Sequence, residues 1–225
     1  MTGPGARGVP WITFEGIEGV GKSTQIERVA GRLERAGRTH VITREPGGTE
    51  LGRRLRALLL EPTERPMRPL AELLLYTADR AQHLEEVILP ALERGAVVLC
   101  DRYLDATLAY QGHARGLGVT AVLALHREAP LDARPDRTIL LDMEPARALT
   151  RARRRNVGSG QDTSEGRFER ERLDFHTRVR EGYLELAAGE PERIRVIDAQ
   201  GEPDEVERRV VAALCDLLTE LAEPA

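Results

Sequence analysis

The sequence predicts an α/β fold in which a five-stranded parallel sheet has helices on both faces. Five short apolar runs have the length of buried strands, at residues 11–15, 40–43, 96–100, 138–142 and 194–197. Segments with helical spacing separate these runs, among them residues 24–36, 51–60, 70–94 and 121–128. This alternation favours a parallel sheet wrapped by helices, and the near-continuous apolar character of the runs indicates strands buried on both faces.

A glycine-rich segment follows the first predicted strand. It consists of Gly16, Ile17, Glu18, Gly19, Val20, Gly21, Lys22 and Ser23, and Thr24 begins the next helix. The string fits G-x-x-x-x-G-K-[ST], the phosphate loop, whose backbone N–H groups surround nucleotide phosphates. Lys22 is the only lysine among 33 basic residues, and its compact ammonium can follow a phosphoryl group where a rigid guanidinium cannot. The segment therefore predicts the three-layer phosphate-loop NTPase fold.

Charged residues follow the second and third predicted strands. Arg44 precedes a turn-forming Glu-Pro-Gly-Gly sequence, and Asp101, Arg102 and Tyr103 follow the third strand. Because ligands bind beyond the carboxyl ends of parallel strands, these residues should meet the phosphate loop in one cleft. Asp101 would then lie where Mg²⁺ binds, with Arg102 beside a phosphate. The simpler alternatives are a surface charge at Arg44 and a local ion pair between Asp101 and Arg102.

The long predicted helix over residues 70–94 carries a tyrosine and an arginine four residues apart. Tyr76 and Arg80 therefore share a face, where a ring could stack on a base while a guanidinium donates to an exocyclic oxygen. The spacing is common, so a core tyrosine beside a surface arginine is the competing interpretation.

A basic run lies downstream of the fourth predicted strand. Its arginines are Arg151, Arg153, Arg154 and Arg155, and a Gly- and Ser-containing segment over residues 156–166 follows. Basic runs usually form a solvated helix face. Here the run flanks a predicted mobile loop, and phosphoryl transfer needs positive charge around the transferring group, so residues 151–170 are expected to form a short arginine-rich lid.

Composition predicts one domain over residues 1–225, with a flexible N-terminus over residues 1–9. The formal net charge of −4 argues against a general nucleic-acid binder. Cys100 and Cys215 do not form a C-x-x-C pair, which favours reduced thiols and a cytoplasmic location. No apolar run approaches membrane-spanning length, so no membrane association is expected.

Taken together, five strings resemble the bacterial thymidylate kinases: FEGIEGVGKS, TREPGGT, LLLYTADRAQH, DRYLDATLAYQG and RPDRTILLD. The resemblance extends over residues 11–198. It implies transfer of a phosphoryl group from ATP to dTMP, giving dTDP for dTTP synthesis, with Mg²⁺ bridging the ATP phosphates. It also implies a homodimer, for which composition gives no evidence.

The resemblance assigns roles position by position. Residues Gly16 to Thr24 and Arg151 would bind ATP, with Lys22 on its phosphates and Ser23 and Asp101 near the metal. Lys22 and Asp101 are also catalytic candidates, and Asp101 would orient either Arg44 and Arg102 or the water shell of the magnesium ion. The expected dTMP contacts are Glu18, Arg44, Tyr76, Arg80, Arg102, Tyr103 and Gln111. In that set Arg44 and Arg102 bind the monophosphate, Tyr76 stacks on thymine, and Arg80 and Gln111 read its edge. Glu18 lies near the 3′-hydroxyl, and Tyr103 screens against a ribose 2′-hydroxyl.

Two positions depart from the family pattern. Some members carry an arginine inside the phosphate loop where this chain has Gly19, so the resemblance implies that the lid supplies the catalytic arginine. Arg153 and Arg155 fit the bacterial R-x-R-x-R spacing best, and Arg154 is the third candidate. Ala106 stands where many relatives have a small hydroxyl residue, which leaves one substrate contact open.

Other phosphate-loop functions fit the sequence less well. A GTPase-like switch would need an N-K-x-D motif, but the only asparagine is Asn156 and the only lysine is Lys22. A motor-type ATPase usually has Asp-Glu at the end of the third strand, where this chain has Asp101-Arg102. The nearer alternative is a kinase that acts on uridine or cytidine monophosphate or on a non-nucleotide alcohol.

Overall fold

The computed structural model describes residues 8–61, 64–128, 133–159, 166–169 and 171–222. Within these residues five strands form one sheet: β1 (Trp11–Glu15), β2 (His40–Arg44), β3 (Val97–Asp101), β4 (Arg137–Asp142) and β5 (Ile194–Asp198). Their spatial order is β2-β3-β1-β4-β5, and every pairing is parallel. The predicted fold class is confirmed, and each strand lies within one residue of its predicted bounds.

Helices cover both faces of the sheet. They are α1 (Lys22–Arg35), α2 (Glu50–Leu60), α3 (Pro69–His83), α4 (Leu89–Glu93), α5 (Leu104–Thr107), α6 (Val119–Glu128), α7 (Pro145–Ser159), α8 (Gly166–Glu169), α9 (Leu173–Gly189) and α10 (Pro203–Leu214). Alternate residues of β3 divide between two apolar clusters, with Val97 and Leu99 in the cluster of α1 and α10 and Val98 and Cys100 in the other. Both faces of this strand are buried, which explains its uninterrupted apolar sequence.

Three predicted segments differ from the structure or extend beyond its description. The helix predicted over residues 70–94 is interrupted, because a π-helical turn (Leu84–Ile88) separates α3 from α4. The loop predicted over residues 156–166 begins too early, since α7 continues to Ser159. The rest of that loop, at residues 160–165, and the N-terminal residues 1–7 lie outside the described part of the chain.

A helix can cross a membrane only if it is long and apolar enough. Of the helices that the structure describes, none combines the length and apolar composition needed to cross a bilayer.

Glu15, at the carboxyl end of β1, is a fully buried carboxylate. It accepts hydrogen bonds from the backbone N–H of Tyr103 at 2.8 Å and from the hydroxyl of Tyr183 at 2.7 Å. Burial, reinforced by repulsion from Asp105, raises the pKa of Glu15 to about 7, against the opposing attraction of Arg102. The folded chain therefore binds a proton at Glu15 in a pH range where the unfolded chain has released it.

We expect this proton to make stability fall as the pH rises through the range from 4.5 to about 7. Glu15→Gln cannot titrate, so the free energy of unfolding of the wild type should decrease relative to that of the variant by roughly 2 kcal/mol between pH 5 and 8. Urea denaturation at several pH values measures this difference. A difference that stays constant with pH would show that Glu15 titrates normally in the folded chain.

Candidate active site

The phosphate loop connects β1 to α1 and is closed around its lysine. Nζ of Lys22 donates to the carbonyl oxygens of Gly16 at 3.1 Å and Ile17 at 3.0 Å, and its side chain is buried. Ser23 and Thr24 are exposed in the first turn of α1. The helix N-terminus and the lysine thus face the concave side of the loop, an arrangement that suits an anion.

Gly19 brings the backbone of the loop against the backbone of α7. Its φ is +81°, and a Cβ atom at this position would overlap the carbonyl oxygen of Ala148 and contact the backbone of Ala152. Ile17 and Val20, on either side, are buried in the core. The loop is therefore packed on α7 at a point where no side chain fits.

Arg102 connects the phosphate loop to the strand edge beside it. Its Nη1 donates to the carbonyl oxygen of Gly16 at 3.0 Å, and its Nη2 donates to Oε1 of Glu18 at 3.0 Å. Arg102 therefore pairs with the loop rather than with its neighbour Asp101. Its backbone has φ = +68°, which is unusual for a residue with a Cβ and is often found at functional sites.

Glu18 is buried and surrounded by hydrogen-bond donors and cations. Oε1 also accepts from the hydroxyl of Tyr110 at 2.8 Å, and Oε2 lies 3.3 Å from Nδ1 of His176. Burial opposes ionisation, but His176, Arg102 and Lys22 together outweigh it and lower the pKa of Glu18. Glu18 is thus an ionised acceptor at neutral pH.

A pocket with about 470 Å³ of space opens beside Glu18. The sequence-predicted substrate residues among its lining are Glu18, Tyr76, Arg80, Arg102, Tyr103 and Gln111, with Ala106 beside them. The lining residues to which the sequence analysis gave no role are Glu45, Pro46, Arg56, Leu60, Thr107, Tyr110 and Phe168. The structure thus brings all the predicted substrate residues except Arg44 into one cavity.

Arg80 is 1% exposed, so the alternative of a surface arginine is wrong. Glu45 accepts hydrogen bonds from Nε of Arg80 at 3.0 Å, and its Oε2 lies 2.8 Å from Nη2. Nη1 lies 2.7 Å from Nε2 of His126, whose Nδ1 faces the carbonyl oxygen of Val122 at 2.8 Å. Burial, assisted by the charge of Arg80, lowers the pKa of His126 to about 4, so the neutral ring accepts from Arg80. Arg80 is therefore fixed at the pocket wall.

Tyr103 and Gln111 lie deeper in the same wall. The ring of Tyr103 lies under the guanidinium of Arg80, with 4.8 Å between Cζ and the ring centroid, and its hydroxyl has no hydrogen-bond partner among the described residues. Gln111 donates through Nε2 to Oε1 of Glu72 at 2.8 Å. Both side chains are buried almost completely.

A second cavity lies between the phosphate loop and β2. It contains about 760 Å³ of space and is lined by Ser23, Ile26, Glu27, Ile42, Thr43, Arg44, Gly47, Gly48 and Asp101. Nη2 of Arg44 lies 3.8 Å from Oδ2 of Asp101. The hydroxyl of Ser23 and the carboxylate of Asp101 provide oxygen atoms of the kind that Mg²⁺ binds, so the donor set fits this ion.

The basic run lies on α7. Nη1 of Arg151 is 3.5 Å from the carbonyl oxygen of Ala199, which follows β5, and Nη2 is 3.8 Å from the Cβ position of Gly21. Arg153 and Arg154 are exposed. Arg155 belongs to the helix, but its side chain is outside the described part of the structure. Arg151 therefore adjoins the phosphate loop, and the catalytic assignment of Arg153 and Arg155 stays a prediction.

Sequence signals for the additional pocket residues were weak. Arg56 lies on α2 close to Arg53 and Arg54, and nothing in the sequence distinguishes the residue that reaches the pocket. Glu45 lies within the string TREPGGT, and its place in that string is its only sequence signal. Phe168 lies beyond the predicted loop that follows the basic run, and its apolar side chain was the only sequence sign of a buried role.

Comparisons with known proteins show which family the chain resembles. The thymidylate kinase family model matches residues 14–210. The chain is 56% identical over 201 residues to a thymidylate kinase of Syntrophotalea carbinolica, covering 89% of this chain and 92% of the relative. It is 54% identical over 208 residues to that of Solidesulfovibrio magneticus, with 92% and 100% coverage. The crystal structure of thymidylate kinase from Ehrlichia chaffeensis superposes with a TM-score of 0.73 at 31% identity, covering 92% of this chain and 98% of that one.

The contact between Gly19 and α7 predicts a specific sensitivity of the loop. Gly19→Ala should lower the free energy of unfolding by more than about 2 kcal/mol and raise the KM for ATP, because the new methyl group must displace the α7 backbone. Gly95→Ala is the matched control, since its φ of +76° is similar but no atom lies within 4 Å of its Cβ position. Thermal or urea unfolding measures the destabilisation of both variants. If it is equal, the backbone strain that they share explains the whole effect, and the contact with α7 adds nothing.

Proposed function

The chain belongs to the thymidylate kinase family and phosphorylates dTMP to dTDP, and on that basis we propose which residues hold the two substrates and which supply charge during the transfer. The observation that carries the proposal is the bridge made by Arg102. One guanidinium contacts both Gly16 of the phosphate loop and Glu18 at the edge of the acceptor pocket. Donor and acceptor phosphates bound on its two sides would lie next to each other, as an in-line transfer requires.

ATP is the proposed phosphoryl donor, with Mg²⁺. The backbone N–H groups of residues 16–24 would surround its phosphates, and Lys22 would exchange its two carbonyl contacts for phosphate oxygens. Arg151 would lie near the adenine, next to the segment after β5. Ser23 and Asp101 would hold the ion directly or through water. When bound, Mg²⁺ would neutralise part of the charge on the phosphate oxygens.

dTMP is assigned to the pocket beside Glu18. Its monophosphate would meet Arg102 and Arg44, and Arg56, which lines the same pocket, would add a further positive charge. Tyr76 would stack on the thymine, and Arg80 and Gln111 would read its edge from fixed positions. Glu18 would accept from the 3′-hydroxyl, and Tyr103 would restrict space near the 2′-position. Except for Arg44, which lines the neighbouring cavity with Asp101, these residues all line the pocket, and this supports their roles.

The lid is assigned to residues 151–170, with Arg153 or Arg155 as the catalytic arginine. Gly19 supports this assignment, because the phosphate loop has no room for a charged side chain of its own at that position. A flexible arginine brought by α7 would neutralise charge that develops on the transferring phosphoryl group.

The enzyme is proposed to act as a homodimer in the cytosol, in dTTP synthesis. Leu51, Leu58, Leu70 and Leu74 on the adjacent helices α2 and α3 each have at least 44% of their surface exposed. Exposed leucines on neighbouring helices are the kind of surface that a second copy covers. Cys100 and Cys215 are both free thiols, which suits a reducing compartment.

Initial rates of ADP formation test the substrate assignment. We expect dTMP to be the preferred acceptor, with dUMP second and UMP, CMP, dGMP and shikimate far behind. ATP turnover without an acceptor, or preference for another acceptor, would contradict the proposed pocket.

Lys22→Ala should lower kcat at least about a hundredfold, the scale of a lost electrostatic contact to the transition state.

Kinetics of lid variants test the source of the catalytic arginine. Arg153→Ala or Arg155→Ala should lower kcat at saturating substrates at least about tenfold, because the charge acts mainly in the transition state. Arg147→Ala is a control on the same helix, where the side chain donates to Gln200 instead. Unchanged kcat in both lid variants would show that neither arginine contributes to catalysis and that the lid only covers the substrates.

A further inference from the structure

Glu72 is a buried carboxylate that contacts Gln111 and has none of the roles assigned above. Glu72 is 0% exposed and lies on α3, one turn before Tyr76 and two turns before Arg80. Its spacing therefore places it on the same helical face as the two base-binding candidates. Its Oε1 accepts from Nε2 of Gln111 at 2.8 Å.

Two arginines fix the position of this carboxylate. Nε of Arg115 lies 3.3 Å from Oε1 of Glu72, and Nη2 of Arg167 donates to Oε2. Arg115 is itself held by Glu171 at 2.7 Å and lies over the ring of Phe175. A buried carboxylate with an arginine on each oxygen cannot rotate without breaking an ion pair.

The carboxylate of Glu72 determines which way the Gln111 amide faces. A carboxylate only accepts hydrogen bonds, so the amide must present Nε2 to Glu72 and cannot present its oxygen. Oε1 of Gln111 receives no donor from the described residues, and it is not among the solvent-shielded atoms that lack a partner. Oε1 is thus the amide atom that Gln111 offers to a ligand in the pocket.

The resulting wall has a defined polarity. Arg80 supplies one donor, the second N–H of Nη1, because Glu45, His126 and Thr107 occupy its other N–H groups. Gln111 supplies an acceptor. Thymine presents the O4 acceptor and the N3–H donor on the corresponding edge, so both pairs are satisfied. Cytosine presents an amino donor and a bare N3 acceptor at the same places, so both pairs are repulsive. Reversal of the Gln111 amide would remove half of this discrimination and place a donor against N3–H.

We propose that Glu72 is a specificity-determining positioning residue, which excludes cytosine nucleotides by fixing the Gln111 amide with its oxygen towards the base. This inference rests on the base-reading role proposed for Gln111. Arg115 and Arg167 act on the base through Glu72, and Arg167 connects this arrangement to α8, at the carboxyl-terminal end of the proposed lid. The ring of Phe168, which lies against the guanidinium of Arg167, lines the same pocket.

The test compares kcat/KM for dTMP and dCMP in matched variants. Glu72→Gln offers both an amide oxygen and an NH₂ group, so either orientation of Gln111 finds a partner. The ratio of dTMP to dCMP should fall at least tenfold, while the KM for ATP stays unchanged. Glu72→Asp keeps the negative charge but shortens the side chain by one methylene group, which weakens the contact between the carboxylate and Gln111. It should shift the ratio in the same direction if Glu72→Gln does not fold.

Glu207→Gln is the control for a purely structural effect. Glu207 is also a largely buried carboxylate that holds two arginines, Arg28 and Arg32, but it lies on α10. For Glu207→Gln, the ratio of kcat/KM for dTMP to kcat/KM for dCMP should stay within about twofold of the wild-type ratio, even if thermal stability falls. A ratio that is unchanged in both Glu72 variants, or that falls equally in Glu207→Gln, overturns the inference.

Gln111→Ala separates this inference from the proposed function. A fall in the ratio for Gln111→Ala, without a fall for the Glu72 variants, would leave Gln111 as the base reader and reject only the role of Glu72. An unchanged ratio for Gln111→Ala would reject the base-reading role itself and the inference with it.

Discussion

The site depends on three buried carboxylates that hold arginines in place before any phosphate or base arrives. Glu18 holds Arg102, Glu45 holds Arg80, and Glu72 holds Arg115 and Arg167. An arginine side chain loses considerable conformational entropy when it is fixed, and a buried guanidinium without a partner is strongly destabilising. The carboxylates offset both costs during folding, so that these costs do not have to be met again when substrate binds.

This arrangement has a chemical consequence for phosphoryl transfer. The reaction requires little covalent participation by the protein and much positioning of positive charge. Charges that are already oriented need no reorganisation during the reaction. The carboxylates also keep the site from becoming a region of uncompensated positive charge. Arg102 illustrates this balance, because a residue with a positive φ and bonds to both the loop and Glu18 has few alternative conformations.

The sequence indicated the fold and the inventory of cations better than it indicated their partners. Buried parallel strands leave uninterrupted apolar runs, so β1 to β5 could be predicted nearly to the residue. The interruption of the helix at Leu84–Ile88 could not, because a π turn changes the hydrogen-bond pattern without a distinctive residue type. Glu72 resembles any helical surface glutamate in sequence. Its burial follows from Arg115 and Arg167, which approach from elements distant in the chain.

The packing of Gly19 explains why the phosphate loop carries no arginine of its own at this position, which is the reason for proposing α7 as the source of positive charge near the transferring group. The loop at Gly19 touches the backbone of α7 so closely that a methyl group has no space, which excludes an arginine at this position for steric reasons. The helix that fills this space also carries the basic run. Because α7 packs on the loop through Ala148 and Ala152, Arg151 reaches the neighbourhood of Gly21. A single backbone contact thus excludes an arginine from the loop at Gly19 and places Arg151 beside Gly21.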